Sequence, residues 1–146
     1  MLSGLGLASC SMVCFPVNNN PDFRVAGGGT HWSLLVFRRT DTGGRFVHFD
    51  SHAGSNRAVA AQLAAKLHGM LTAEDTPSAE GAAGVVEAAT PQQSNTSDCG
   101  VFTALIAEAL ASGKSEDDIG ALESDAATAH RRELGQRIEA LAAASV

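Results

Sequence analysis

The chain has 146 residues, 45% of them apolar, and a formal net charge of −6 with no basic stripe. That length suits one ordinary domain, and the charge argues against a nucleic-acid partner. No apolar run reaches the length of a membrane span, and the apolar first residues, Met1 to Val13, lack the basic start of a signal peptide. Six Phe, one Trp and no Tyr leave Ala and Gly to carry much of the bulk, so a core of small side chains and marginal stability is expected. Three cysteines, an odd number, argue against a disulfide framework and for a reducing compartment, cytosol or nucleus.

In chain order, Val13 to Val17 reads as a short strand ended by the turn signal Asn18-Asn19-Asn20-Pro21. The glycines at 27–29 make a flexible approach to His31. Trp32 to Phe37 is an apolar run suited to a buried strand. Asp41-Thr42-Gly43-Gly44 is a hairpin turn, and Arg45 to Asp50 returns as the partner strand. Alternation there puts His48 and Asp50 on one face, Val47 and Phe49 on the other. Ser55 or Asn56 can cap a helix running to about Met70, with Val59, Leu63, Leu67 and Met70 as its apolar stripe. Residues 72–84 read as a loop and Val85 to Ala88 as a short strand. Gly100 to Ala111 carries Phe102, Leu105, Ile106, Ala109 and Leu110 at helical spacing. Ser115 to Val146 reads as two helices, the last bearing Leu134, Ile138 and Leu141. This order of strands and helices predicts an α+β domain with an antiparallel sheet.

Four residues supply a set of groups sufficient for cysteine-based acyl transfer. Cys99 stands at the start of the 100–111 helix, where free N–H groups and the helix dipole stabilise a thiolate. Alone, it reads more plainly as a buried structural thiol. His31 opens a strand and can face a cleft as general base; alone, it is a surface loop histidine. Asp50 comes 19 residues later. The start of one hairpin strand lies beside the end of the other, so Asp50 can orient the His31 imidazole. Its plainer role is to cap the turn before Ser51 and Gly54. Gln93, six residues before Cys99, offers an amide to a developing oxyanion, with the Cys99 N–H as second donor. Gln92 competes for that role.

Other patterns are weaker. His48, Asp50 and His52 alternate onto one strand face like a metal-binding row, but no further ligand is suitably spaced, and metal is set aside. His68 and His130 sit alone on predicted helices. Cys10 and Cys14 read as buried thiols on an apolar segment. The Gly27-Gly28-Gly29 run lacks the strand–helix context of a phosphate loop. Arg131-Arg132 reads as a solvated helix face.

Gly29-Thr30-His31-Trp32-Ser33-Leu34-Leu35-Val36, His48-Phe49-Asp50-Ser51-His52 and Gln93-x5-Cys99-Gly100 resemble the motifs of the Ulp/sentrin-protease family of cysteine proteases, which cleave ubiquitin-like modifiers. In detail they are most similar to its deneddylase branch. The resemblance runs from about Val13 to about Leu110. It implies a papain-like/adenain-like α+β fold, with a mixed, mainly antiparallel sheet flanked by helices. It implies His31 as general base, Asp50 as its orienter, Cys99 as nucleophile and Gln93 as oxyanion donor. Trp32 resembles the family tryptophan that covers the substrate's Gly-Gly tail. No cofactor and no metal are implied. The implied partner is a ubiquitin-like modifier of the Nedd type and its conjugates, with SUMO as the alternative.

Two departures stand out. Family domains carry a substantial segment before the strand matching Val13–Val17, so the chain is expected to be one catalytic domain over 1–146, truncated at its N-terminus. The family also has an aromatic two residues before the nucleophile, where this chain has Ser97. The expected activity is an isopeptidase cleaving after the modifier's terminal Gly-Gly. The alternative from another class is a non-catalytic modifier-binding module or fragment. An acyltransferase on a related fold, passing the acyl group to an amine, comes third.

Overall fold

The computed structural model describes residues 6–22, 24–41, 43–72 and 84–144. After a short 3-10 turn at Leu7–Ser9, four strands form one sheet: β1 (Met12–Asn18), β2 (Trp32–Thr40), β3 (Gly43–Phe49) and β4 (Val85–Glu87). The helices are α1 (Arg57–Leu71), α2 (Cys99–Ala111), α3 (Glu116–Gly120) and α4 (Ala126–Ala144). Of the loop expected over 72–84, residues 73–83 lie outside the described residues.

The sheet order is β1-β2-β3-β4. β1 with β2 and β2 with β3 are antiparallel, but β4 runs parallel to β3, with Val47 opposite Val86. The sheet is therefore mixed, not wholly antiparallel. A helix lies between β3 and β4, so the chain re-enters the sheet in the same direction, which a tight hairpin cannot do. The β2–β3 hairpin closes at Thr40 opposite Gly43. Gly44 follows because a Cβ there would run into the Phe37 ring.

The strand run Leu34-Leu35-Val36-Phe37 is apolar throughout because helices cover both faces of the sheet. Leu34, Val36, Val47 and Phe49 pack with Phe102, Ile106 and Leu110 of α2, Ile119 of α3 and Ala127 of α4. Val17, Leu35, Phe37 and Phe46 pack with Ala60, Ala64, Leu67 and Leu71 of α1. This face of α1 is turned from the expected stripe: Met70 is exposed, and two alanines meet the sheet. Ala60 and Ala64 are fully buried there, so this face is packed without long side chains at those two positions. In α4 the expected apolar stripe is also not the buried one. Ile138 and Leu141 are exposed, and Ala127 and His130 are buried.

Candidate active site

The β2–β3 ladder ends at Leu34 opposite Phe49, so His31 and Asp50 lie just past its end, side by side. The His31 Nε2–H donates to Asp50 Oδ1 at 2.6 Å, and both side chains are buried. A carboxylate only accepts, so Nε2 carries the proton and Nδ1 is left as the basic nitrogen. Asp50 also accepts the His52 N–H on Oδ1 at 3.0 Å and the Asn56 N–H on Oδ2 at 3.0 Å. It thus caps the turn and orients the imidazole at once. The His52 ring stands edge-on to His31 with centroids 5.8 Å apart.

The approach to His31 is clamped, where flexible glycines were expected. Asn19 Oδ1 accepts the N–H groups of Thr30 at 2.8 Å and His31 at 3.0 Å, and Asn18 Nδ2 donates to the His31 carbonyl at 3.1 Å. A Cβ at Gly29 would run into the Asn18 carboxamide, and one at Gly28 into that of Asn20. The glycines serve close packing. In the sequence the three asparagines read as a local turn signal, and nothing in that pattern points to a partner eleven residues away.

Cys99 opens α2 and is buried. The N-cap residue Asp98 makes no side-chain cap. Its carboxylate accepts instead from Asn95 Nδ2 at 2.8 Å and from Arg131 of α4. The Asn95 amide, and then the Arg131 guanidinium, hold the Asp98 carboxyl below the usual carboxylate range. The first-turn N–H groups of α2 at Cys99, Gly100 and Val101 have no intrahelical acceptor and no side-chain cap, which suits a negative atom beside them. Arg131 and Arg132 both lie on an exposed helix face, as expected, and Arg131 also anchors the cysteine loop. His130, expected to stand alone, is buried with Nε2 3.7 Å from Glu108 Oε2.

The loop carrying Cys99 is stitched to the end of β3. The Gln93 N–H donates to the Ser51 carbonyl at 2.8 Å, and the Ser51 hydroxyl donates to Gln93 Oε1 at 2.8 Å. Gln93 Nε2 donates to the Asn95 carbonyl at 2.6 Å. Gln92 Nε2 donates to two carbonyls, those of Asp50 at 3.0 Å and Thr90 at 2.9 Å, and its Oε1 accepts the Ala53 N–H. Both Gln92 amide protons are used, whereas Gln93 keeps one.

A largely apolar groove of about 360 Å³ lies next to both segments, though His31, Asp50, Gln93 and Cys99 are not among its lining residues. Cys14, Pro16, Trp32, Leu34, Gly100 and Ala104 line it, so the residue after His31 and the residue after Cys99 share one cleft. Trp32 is 45% exposed. Burial pushes the Cys14 thiol up in pKa, against the opposing field of Arg38.

The row His48, Asp50, His52 does not converge. His48 contacts Ser33 and Glu87, Asp50 contacts His31, and His52 contacts Ser55. Among the described residues no three or more His, Cys, Asp or Glu are grouped as a metal site.

The sequence profile of the Ulp1 protease family, C-terminal catalytic domain, matches residues 6–146. Human sentrin-specific protease 8 is 38% identical over 109 residues, which is 75% of this chain and 47% of the relative. NEDD8-specific protease 1 of Arabidopsis thaliana is 40% identical over 98 residues, 67% of this chain and 40% of the relative. A probable sentrin-specific protease 8 of Dictyostelium discoideum is 35% identical over 106 residues, 73% and 42% of the two chains. The chain thus spans less than half the length of these relatives. Among solved structures, the C-terminal Ulp1 protease domain in complex with Smt3, the yeast orthologue of SUMO, superposes with a TM-score of 0.57 at 18% identity. That match covers 84% of this chain and 49% of the other, and it bears on the fold.

Proposed function

Because this chain belongs to the Ulp1 protease family, we propose that it is a cysteine peptidase that cleaves after the C-terminal Gly-Gly of a ubiquitin-like modifier of the Nedd type. The observation that carries this reading is the buried His31–Asp50 pair beside a groove that Trp32 shares with Gly100, the neighbour of Cys99.

In this mechanism His31 Nδ1 takes the Cys99 proton, and Asp50 holds the ring and offsets the charge it gains. The thiolate attacks the carbonyl of the modifier's terminal glycine. The oxyanion forms against the Cys99 N–H at the α2 N-terminus and the remaining Gln93 N–H. The proton on His31 passes to the departing amine, a thioester remains, and water activated by His31 hydrolyses it. A groove covered by Trp32 admits glycines beside the scissile bond because they carry no side chain. The leaving amine is a lysine of a conjugate or the start of a C-terminal extension. A thiolate nucleophile needs a reducing compartment, so the proposal carries the cytosol or nucleus with it.

The test is covalent capture by modifiers bearing an electrophile at the C-terminus, in Nedd, SUMO and ubiquitin versions. The expected result is one adduct, at Cys99, with the Nedd probe, and loss of turnover with retained modifier binding in Cys99→Ala. Unchanged turnover in Cys99→Ala would end the mechanism. Capture by the SUMO probe alone would move the substrate to the second modifier class, which the Smt3-bound neighbour favours. Modifier binding without any adduct would favour a non-catalytic module.

A further inference from the structure

His31 and Asp50 lie beyond the last pair of the β2–β3 ladder, so the sheet does not set their meeting. One buried residue, Asn56, touches both segments. Its main-chain N–H donates to Asp50 Oδ2 at 3.0 Å. Its Nδ2 reaches Ser33 Oγ at 3.0 Å, the Val17 carbonyl at 3.2 Å and the His31 carbonyl at 3.4 Å. Two amide protons serve three acceptors on β1, on β2 and just before β2. The two carbonyls fix which way the amide faces, since a turned amide would set oxygen against oxygen.

Behind Asn56 runs a chain of bonds with a single consistent direction. Ser33 Oγ accepts from Asn56 and donates to His48 Nε2 at 2.9 Å. His48 Nδ1 donates to the Glu87 carboxylate at 3.1 Å. His48 and Asn56 have no exposed surface. Asn56 stands at the N-cap of α1, yet its side chain makes no capping bond, so capping does not explain it.

We propose that Asn56 is a positioning residue for the His31–Asp50 pair. Its side chain fixes the His31 segment and its N–H fixes the Asp50 carboxylate, so that ring and carboxylate meet in one geometry. This rests on the peptidase reading for its consequence in turnover, but not for its structural readout.

The experiment uses the full chain with ¹⁵N-labelled histidine, followed by proton NMR of the ring N–H groups. In wild type, the His31 Nε2 proton, held short against a carboxylate, should resonate far downfield, and Asp50→Asn identifies it by its loss. Asn56→Ala should move that signal upfield or abolish it. It should also lower kcat on a fluorogenic modifier substrate by roughly 10- to 100-fold, the cost of an ångström-scale misplacement, with KM unchanged. A residue that only stabilised the fold would lower the melting temperature and leave both signal and kcat intact in the folded protein; that result overturns the proposal. Should Asn56→Ala fail to fold, Ser33→Ala removes the acceptor behind the amide together with the hydroxyl that donates to His48, and leaves Asn56 itself in place. A smaller upfield displacement supports the proposal, and an unmoved signal overturns it. A wild type inert toward every modifier probe defeats the peptidase reading, while the His31 signal, which needs no substrate, still judges Asn56.

Discussion

Two adjacent glutamines have distinct tasks. Gln92 spends its whole carboxamide on the backbone around Asp50, whereas Gln93 keeps one N–H unspent. Gln93→Ala is expected to lower kcat by roughly 10²-fold with little change in melting temperature, as for a lost oxyanion donor. Gln92→Ala should instead lower the melting temperature first, because it leaves the Asp50 carbonyl and the Ala53 N–H without partners. The reverse pattern in paired kinetics and melting curves would move the donor role to Gln92. The raised Cys14 thiol should be alkylated slowly at neutral pH although it borders the groove. Timed iodoacetamide labelling read by peptide mass spectrometry checks this; rapid labelling of Cys14 would contradict it. At this scale the sequence made the meeting of His31 with Asp50 and the place of Cys99 at the start of α2 legible, because hairpin geometry and helical spacing leave traces in the chain. It hid Asn19, Asn56 and Arg131, because a polar residue that crosses between elements looks like any cap, turn or solvated charge until its partner is located.

Among the elements, the junction of α2 with α4 sets the cysteine loop. Arg131 draws the Asp98 carboxylate off the α2 N-terminus. Asp98 is held below its ordinary value of 3.8, so its contribution to stability is present above that value and is lost as pH falls through the lower folded one. Arg131→Met should therefore cost most near neutrality, on the order of 1 kcal/mol for a pair whose arginine is half-exposed. The gap from wild type should narrow as pH drops below about 4. Melting curves over that range decide it; a gap independent of pH would mean that Arg131 acts through packing alone. On the opposite face, Ala64→Leu should destabilise by about 1–3 kcal/mol, because Ala64 is fully buried in that core. Met70→Ala should stay within about 0.5 kcal/mol, since that side chain is exposed. Denaturant titration of the two variants separates this helix face from the one that periodicity alone suggests. Element positions were legible to within a residue or two for β1, β3, α1 and α2, where apolar runs end at turn residues or caps. The rotation of α1 and the direction of β4 were not. An alanine weighs little in an apolar pattern, and strand direction depends on the path between strands.

At the level of the whole chain, His31 and Asp50 lie past one end of a sheet whose two faces are both covered by helices. The chain spans less than half of each of these relatives. Fold class was legible because both covered faces leave unbroken apolar strands. The choice of modifier in the proposed activity was not, since a broad surface leaves no short pattern. The lone indole at the mouth of the groove has a further consequence. With one Trp and no Tyr in the chain, excitation at the red edge of protein absorbance selects a single fluorophore, Trp32. Its half-exposed ring should emit as a partly hydrated indole. A modifier tail laid beneath it should shift that emission to the blue, and a modifier lacking its terminal glycines should leave it unmoved. In Cys99→Ala, where no thioester forms, the spectrum becomes an equilibrium reading of tail affinity, obtained without a label and separately from turnover.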